Sequence, residues 1–158
     1  MSLLEFCQWL QFSPPLVAMR SSPWLFPLIA TFHLMGLSLI GGAVLLVDLR
    51  LLGLGLRRQP VAPLAREAER WLFRGLLVMV VTGIPLFMCF ATKYYYLTFF
   101  WVKMAALLAV VVFTVSVRRR VAMADQSQIK PVWAKVVALT SLTLWTTVAL
   151  GGRYIGFP

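Results

Sequence analysis

The chain has 158 residues, 61% of them hydrophobic, and a formal net charge of +10. Soluble domains average about 45–50% apolar residues, so water is excluded as the main solvent of this chain. The positive charge gathers in two short stretches between long apolar runs, a topological signal in a membrane protein rather than a patch for nucleic acid.

At the N-terminus, Ser2 and Glu5 have capping-box spacing, and Leu3, Phe6, Cys7 and Leu10 recur opposite Glu5, Gln8 and Gln11. This predicts an interfacial amphipathic helix over 2–12, stopped by Ser13, Pro14 and Pro15. With no basic n-region and no small-residue cleavage site, the segment is expected to stay in the mature protein. Ser22 and Pro23 then form a cap and first-turn proline for the next helix.

The first span is predicted over about 24–47, an uncharged run long enough to cross a hydrocarbon core of ~30 Å. Its pattern runs on through Asp48 and Arg50 towards Leu56 before Arg57, Arg58, Gln59 and Pro60 break it. Residues 61–74, with Arg66, Glu67, Glu69, Arg70 and Arg74, are predicted as the solvated first turns of a second helix that spans about 75–91 and contains Gly83 and Pro85. The third span is predicted over about 99–117, interrupted by Lys103, and the fourth over about 136–150. The result is an all-α membrane protein, an up-and-down four-helix transmembrane bundle with an N-terminal interfacial amphipathic helix, in a single domain over 1–158.

Orientation follows from lysine and arginine. Arg50, Arg57, Arg58, Arg66, Arg70 and Arg74 lie between spans one and two, and Arg118, Arg119, Arg120, Lys130 and Lys135 between three and four. The positive-inside rule puts both stretches in the cytoplasm, with both termini and the Thr92–Thr98 loop outside. Cys7 and Cys89 then share the outer side. A disulfide would require the N-terminal helix to fold over span two. No CxxC pair or His/Cys/Asp cluster exists, so no metal site is expected.

His33, the only histidine, sits deep in span one, where an ionisable group marks a functional site by default. Gly36 shares its face and would admit a neighbouring backbone or a flat ligand. Depth counting brings Thr82, Thr140 and Thr143 to the level of His33, and their hydroxyls would satisfy a neutral imidazole. The alternative is an axial ligand to haem b, for which a mixed pair would need Met35, Met79, Met88 or Met104. A quinone hydrogen-bonded to the imidazole needs no second ligand. Lys103 would snorkel to the outer surface, or contact an anion in an outer cavity also reached by Tyr94, Tyr95 or Arg153. Asp48 is expected to pair with Arg74 or one of Arg118 to Arg120 as a structural lock, and Thr140, Thr143 and Thr147 to glue helices.

The stretches SLLEFCQWLQ, WLFPLIATFHLMGLSLIGG, VDLRLLGL, LLVMVVTGIPLF, KYYY, WVKMAALLAVVVF and GRYIGF resemble an uncharacterised bacterial inner-membrane family over almost the whole chain. That family is similar, more distantly, to the copper-resistance D membrane domain and to the haem-dependent protoporphyrinogen oxidase. The resemblance implies a four-helix core in the bacterial inner membrane, with the family's histidine and lysine falling on His33 and Lys103. Relatives carry further histidines where this chain has Tyr96 and VSVRRR, a departure that weakens a bis-histidine haem and a multi-histidine copper site.

No nucleophile–base pair, phosphate loop or carboxylate dyad is present, and a transporter is disfavoured by the lack of buried carboxylates, broken paired helices or inverted repeats. The leading expectation is a non-enzymatic accessory or scaffold subunit that packs in the bilayer against other membrane subunits or itself. A haem- or quinone-binding redox protein using His33 is the alternative.

Overall fold

The computed structural model describes residues 2–55, 59–124 and 129–155; Leu56, the predicted end of the extension of span one, and Arg57 and Arg58 of the predicted break lie outside them. Among the described residues every regular element is helical. Helix α1, Leu3–Gln11, starts on the predicted box: Ser2 Oγ accepts the Glu5 amide at 3.2 Å, and Glu5 Oε2 accepts the Ser2 amide at 2.8 Å. The Ser13–Pro14–Pro15 stop is also a start, because prolines in a first turn lose no hydrogen bond. They open α2, Pro14–Ser21, a helix the sequence reading did not expect.

Four longer helices follow. Helix α3 is Leu25–Leu52, α4 is Val61–Cys89, α6 is Thr98–Phe113, and α8 is Pro131–Ile155. The short helix α5, Ala91–Tyr96, fills the predicted loop between α4 and α6. Beyond α6 the chain continues through a π-helical segment, Thr114–Arg118, into α7, Arg119–Met123. Four stretches, including Thr98–Met123 taken as one, are long and apolar enough to cross a membrane. Helices α3 and α8 run past their predicted ends at 47, 136 and 150, since solvated turns keep their helical bonds beyond the apolar window. By contrast, α4 stops at Cys89, short of the predicted 91, and α6 gives way to the π-helical segment before the predicted 117. Helix α3 stops at Gly53, whose φ of 78° favours glycine.

Helix α3 packs against α4 and α8, α8 against α6, and α7 returns to α4 at the arginine-rich end, where Arg119 pairs with Glu69 at 3.0 Å. The core between them is aliphatic, with Ile40, Val44 and Val47 meeting Leu72, Val110, Val137 and Val148. Two glycines set the α3–α4 distance. A Cβ built on Gly75 would lie 2.9 Å from the Gly36 carbonyl, and one on Gly36 would lie 3.0 Å from Met79 Cγ. Between its two ends the α4 backbone does not pack along α6. At the α5 end the pair is joined by a ring stack, Phe87 on Phe100 at 5.2 Å and Tyr94 on Phe100 at 5.6 Å.

Helices α1 and α2 close over that same end. The Thr92 amide donates to Gln11 Oε1 at 2.9 Å, Arg20 Nη1 donates to the Cys89 carbonyl at 3.3 Å, and the Arg20 guanidinium lies over the Phe90 ring. The fold of the N-terminus over span two that a disulfide would require is thus present. Cys7 and Cys89 are nonetheless both free and buried, with Cys89 Sγ turned to the Leu16 carbonyl at 3.8 Å. Outward, Leu34, Leu77, Leu108 and Leu139 leave apolar helix faces exposed, a surface suited to lipid tails.

Candidate functional site

His33 projects from α3 towards α4, half-buried, and its Nδ1 lies 2.9 Å from Thr82 Oγ1. The Thr82 hydroxyl has one proton, and it is donated to the Val78 carbonyl one turn back on α4. Thr82 therefore accepts from His33, which fixes the neutral tautomer with the proton on Nδ1 and the lone pair on Nε2. A hydroxyl that returns its proton to its own helix orients the imidazole without spending Nε2. The Met79 backbone carbonyl also accepts a hydrogen bond from the ring. Gly83 makes room for it: a Cβ there would sit 3.1 Å from His33 Cε1.

Lys103 enters from α6, half-buried, with its stem across the end of α8. A Cβ on Gly151 would lie 3.1 Å from Lys103 Cβ, and one on Gly152 would lie 3.4 Å from Nζ. Its ammonium is close enough for its charge to be felt at His33, across the diagonal of the bundle. An imidazole and an ammonium donor thus come within electrostatic reach of each other, in a bundle where α4 and α6 are not a closely packed pair.

Thr140 and Thr143 do not join them. Both are exposed, and Thr143 Oγ1 donates to the Leu139 carbonyl within α8. Depth along a helix does not fix azimuth: the buried face of α8 carries Val137, Ala138, Ser141, Trp145 and Val148, and the two threonines lie off it. Tyr94 and Tyr95 turn elsewhere, Tyr94 into the ring stack and Tyr95 against Tyr96. Burial holds the Tyr94 phenol above its usual range, aided by the nearby Cys89 thiol, so the stack closing this end is uncharged.

The glycines bear on which ligand fits. Gly36 is filled by Met79 and the Gly75 carbonyl, Gly83 by the imidazole, and Gly151 and Gly152 by Lys103. Of the two occupants expected at Gly36, the neighbouring backbone is the one present. Of the methionines considered as second ligands, Met35 and Met104 are exposed, Met79 packs on Gly36, and Met88 packs with the Leu16–Met19–Cys89 cluster. Among the described residues no group of three His, Cys, Asp or Glu side chains is placed to hold a metal.

Sequence reasoning anticipated the Asp48 lock, and Arg118 is the partner: Nε donates to Oδ1 at 2.8 Å, both side chains being buried. The expected lack of buried carboxylates therefore does not hold at Asp48. Arg74 instead stacks on Trp71 at 4.9 Å. Three residues facing this pair, Thr114, Ser141 and Trp145, were not picked out as a group. The only signals in the sequence were the spacing of Ser141 and Trp145, four residues apart on α8, and of Thr114, four residues before Arg118.

The profile of a family of unknown function (DUF6644) matches residues 26–158, from α3 to the end of the chain. No curated protein and no solved structure matches.

Proposed function

The chain belongs to this family of unknown function, and from that premise we propose that it is a non-enzymatic membrane subunit that holds a quinone-type head group between His33 and Lys103. The observation that carries the reading is the Thr82 hydroxyl, whose proton is spent on Val78, so that His33 is oriented with Nε2 unprotonated. Such a nitrogen accepts the hydroxyl of a reduced ring, and the Lys103 ammonium donates to the carbonyl of an oxidised one. A lipid-soluble ring would reach this site sideways, between α4 and α6, which are not a closely packed pair.

A porphyrin is favoured less, because each glycine that could have opened a slot beside His33 is already occupied by protein atoms. The accessory role is retained: the subunit supplies binding, and the ring supplies any redox chemistry. Protein purified in mild detergent should carry extractable quinone and lack a Soret band, and His33→Ala should lose most of the quinone. A Soret band would replace this reading with haem. Protein with neither chromophore would leave only a scaffold.

The same reading sets the chain in the bacterial inner membrane, with the arginine-rich end of the bundle in the cytoplasm and the α5 end, with its strap of α1 and α2, in the periplasm. Reporter fusions at Gln59 and at Leu97 should report opposite compartments, Gln59 inside and Leu97 outside. One compartment for both would contradict the topology.

A further inference from the structure

Four buried polar atoms without a hydrogen-bond partner lie on the elements that carry or pack against the Asp48–Arg118 pair: Asp48 Oδ2, Thr114 Oγ1, Ser141 Oγ and Trp145 Nε1. They come from three directions. Asp48 lies on α3, Thr114 one turn before Arg118 in the π-helical segment, and Ser141 and Trp145 four residues apart on the inner face of α8. Helical side chains lean towards the N-terminus of their own helix. Asp48 and Arg118 therefore lean towards the α5 end, as shown by Arg118 Nη2 donating to the Val44 carbonyl at 3.3 Å. Ser141 and Trp145, on the antiparallel α8, lean the other way, into the same layer.

Ser141 and Thr114 also break the habit of the other helical hydroxyls. Ser38, Thr82, Ser116 and Thr143 each return their proton to the carbonyl four residues back. Ser141 approaches Asp48 closely enough to interact with it, yet without hydrogen-bonding geometry. A polar atom left unpaired in such a core is destabilising, so a cluster of four calls for a shared partner.

The geometry points to a binding site for internal water, bridging Asp48 Oδ2 to Ser141 Oγ and Trp145 Nε1 with Thr114 Oγ1 at its edge. The charges select this ligand. Arg118 already neutralises Asp48, which removes the attraction for a cation, and the carboxylate oxygen facing the site repels an anion. A small neutral molecule that both donates and accepts is left: it donates to Oδ2 and accepts from the indole N–H. The fifth orphaned atom, Thr92 Oγ1, lies in α5 and is not part of this layer.

Two measurements on the intact protein test this. A density map that resolves water should show a peak within hydrogen-bonding distance of Asp48 Oδ2 and of Ser141 Oγ or Trp145 Nε1. Synchrotron hydroxyl-radical labelling, in which radicals form from bound water and react where they arise, should modify buried Trp145 to an extent comparable with exposed Trp133. A map in which Ser141 donates directly to Asp48 with no water peak would overturn the proposal, as would an unlabelled Trp145 beside a labelled Trp133.

Discussion

Replacing Asp48 by leucine while Arg118 is kept should destabilise the bundle by about 3–5 kcal/mol, the usual cost of leaving one member of a buried ion pair alone. Asp48 is fully buried and Arg118 is 6% exposed, so the guanidinium would lose its carboxylate without gaining access to bulk solvent. Arg118→Leu should cost a similar amount by stranding the carboxylate. The double variant Asp48→Leu/Arg118→Leu should recover most of the loss, because paired apolar replacements of a buried ion pair are often neutral or stabilising. Unfolding in mixed micelles by added SDS reads all three. Additive losses in the double variant would show that the two side chains do not act as a pair.

Gly75→Ala should be the most damaging of the small changes on the α3–α4 contact. The added methyl would meet the Gly36 carbonyl and Ile40 Cγ1 at 2.9 Å and the Ile40 amide at 3.2 Å. Two of those atoms are backbone, so the helices must separate, at about 1–3 kcal/mol or more for an overpacked contact. Gly41→Ala and Gly42→Ala on α3 supply the control. Nothing lies within 4 Å of a Cβ at either position, and alanine exceeds glycine in helix propensity by about 1 kcal/mol. The expected result in the same SDS titration is a lower midpoint for Gly75→Ala and an unchanged or higher one for Gly41→Ala. Equal effects at all three would remove the close crossing from the account.

The parts of this architecture that depend on local chemistry could be read from sequence: the Ser2/Glu5 box, the four apolar runs, and the helical lead-in over 61–74. Placement around the bundle axis could not. Counting residues from the membrane surface brought Thr82, Thr140 and Thr143 to one depth, but only Thr82 points inward. The face of α8 that turns in is chosen by small and branched residues fitting the facing helices, a tertiary outcome. The π-helical segment is similar. Nothing local in TVSVR requires an extra residue per turn, and the segment ends where Arg118 meets Asp48 across the bundle. Prolines 14 and 15 carried two meanings, stop and start, and the start holds where Leu16 and Met19 bury beside Cys89.

The most direct test of the central claim is an equilibrium titration of the detergent-solubilised protein with a short-tailed quinone, read by quenching of tryptophan fluorescence against empty micelles. The wild type should saturate. His33→Ala should bind at least about tenfold more weakly, which corresponds to ~1.4 kcal/mol and is within the range of a hydrogen bond lost to a ligand. Thr82→Val should weaken binding to a smaller degree, since the imidazole remains but its Nδ1 proton loses the acceptor that fixes the tautomer. Binding of equal strength in the wild type and His33→Ala, or quenching no greater than partition into micelles, would contradict the account.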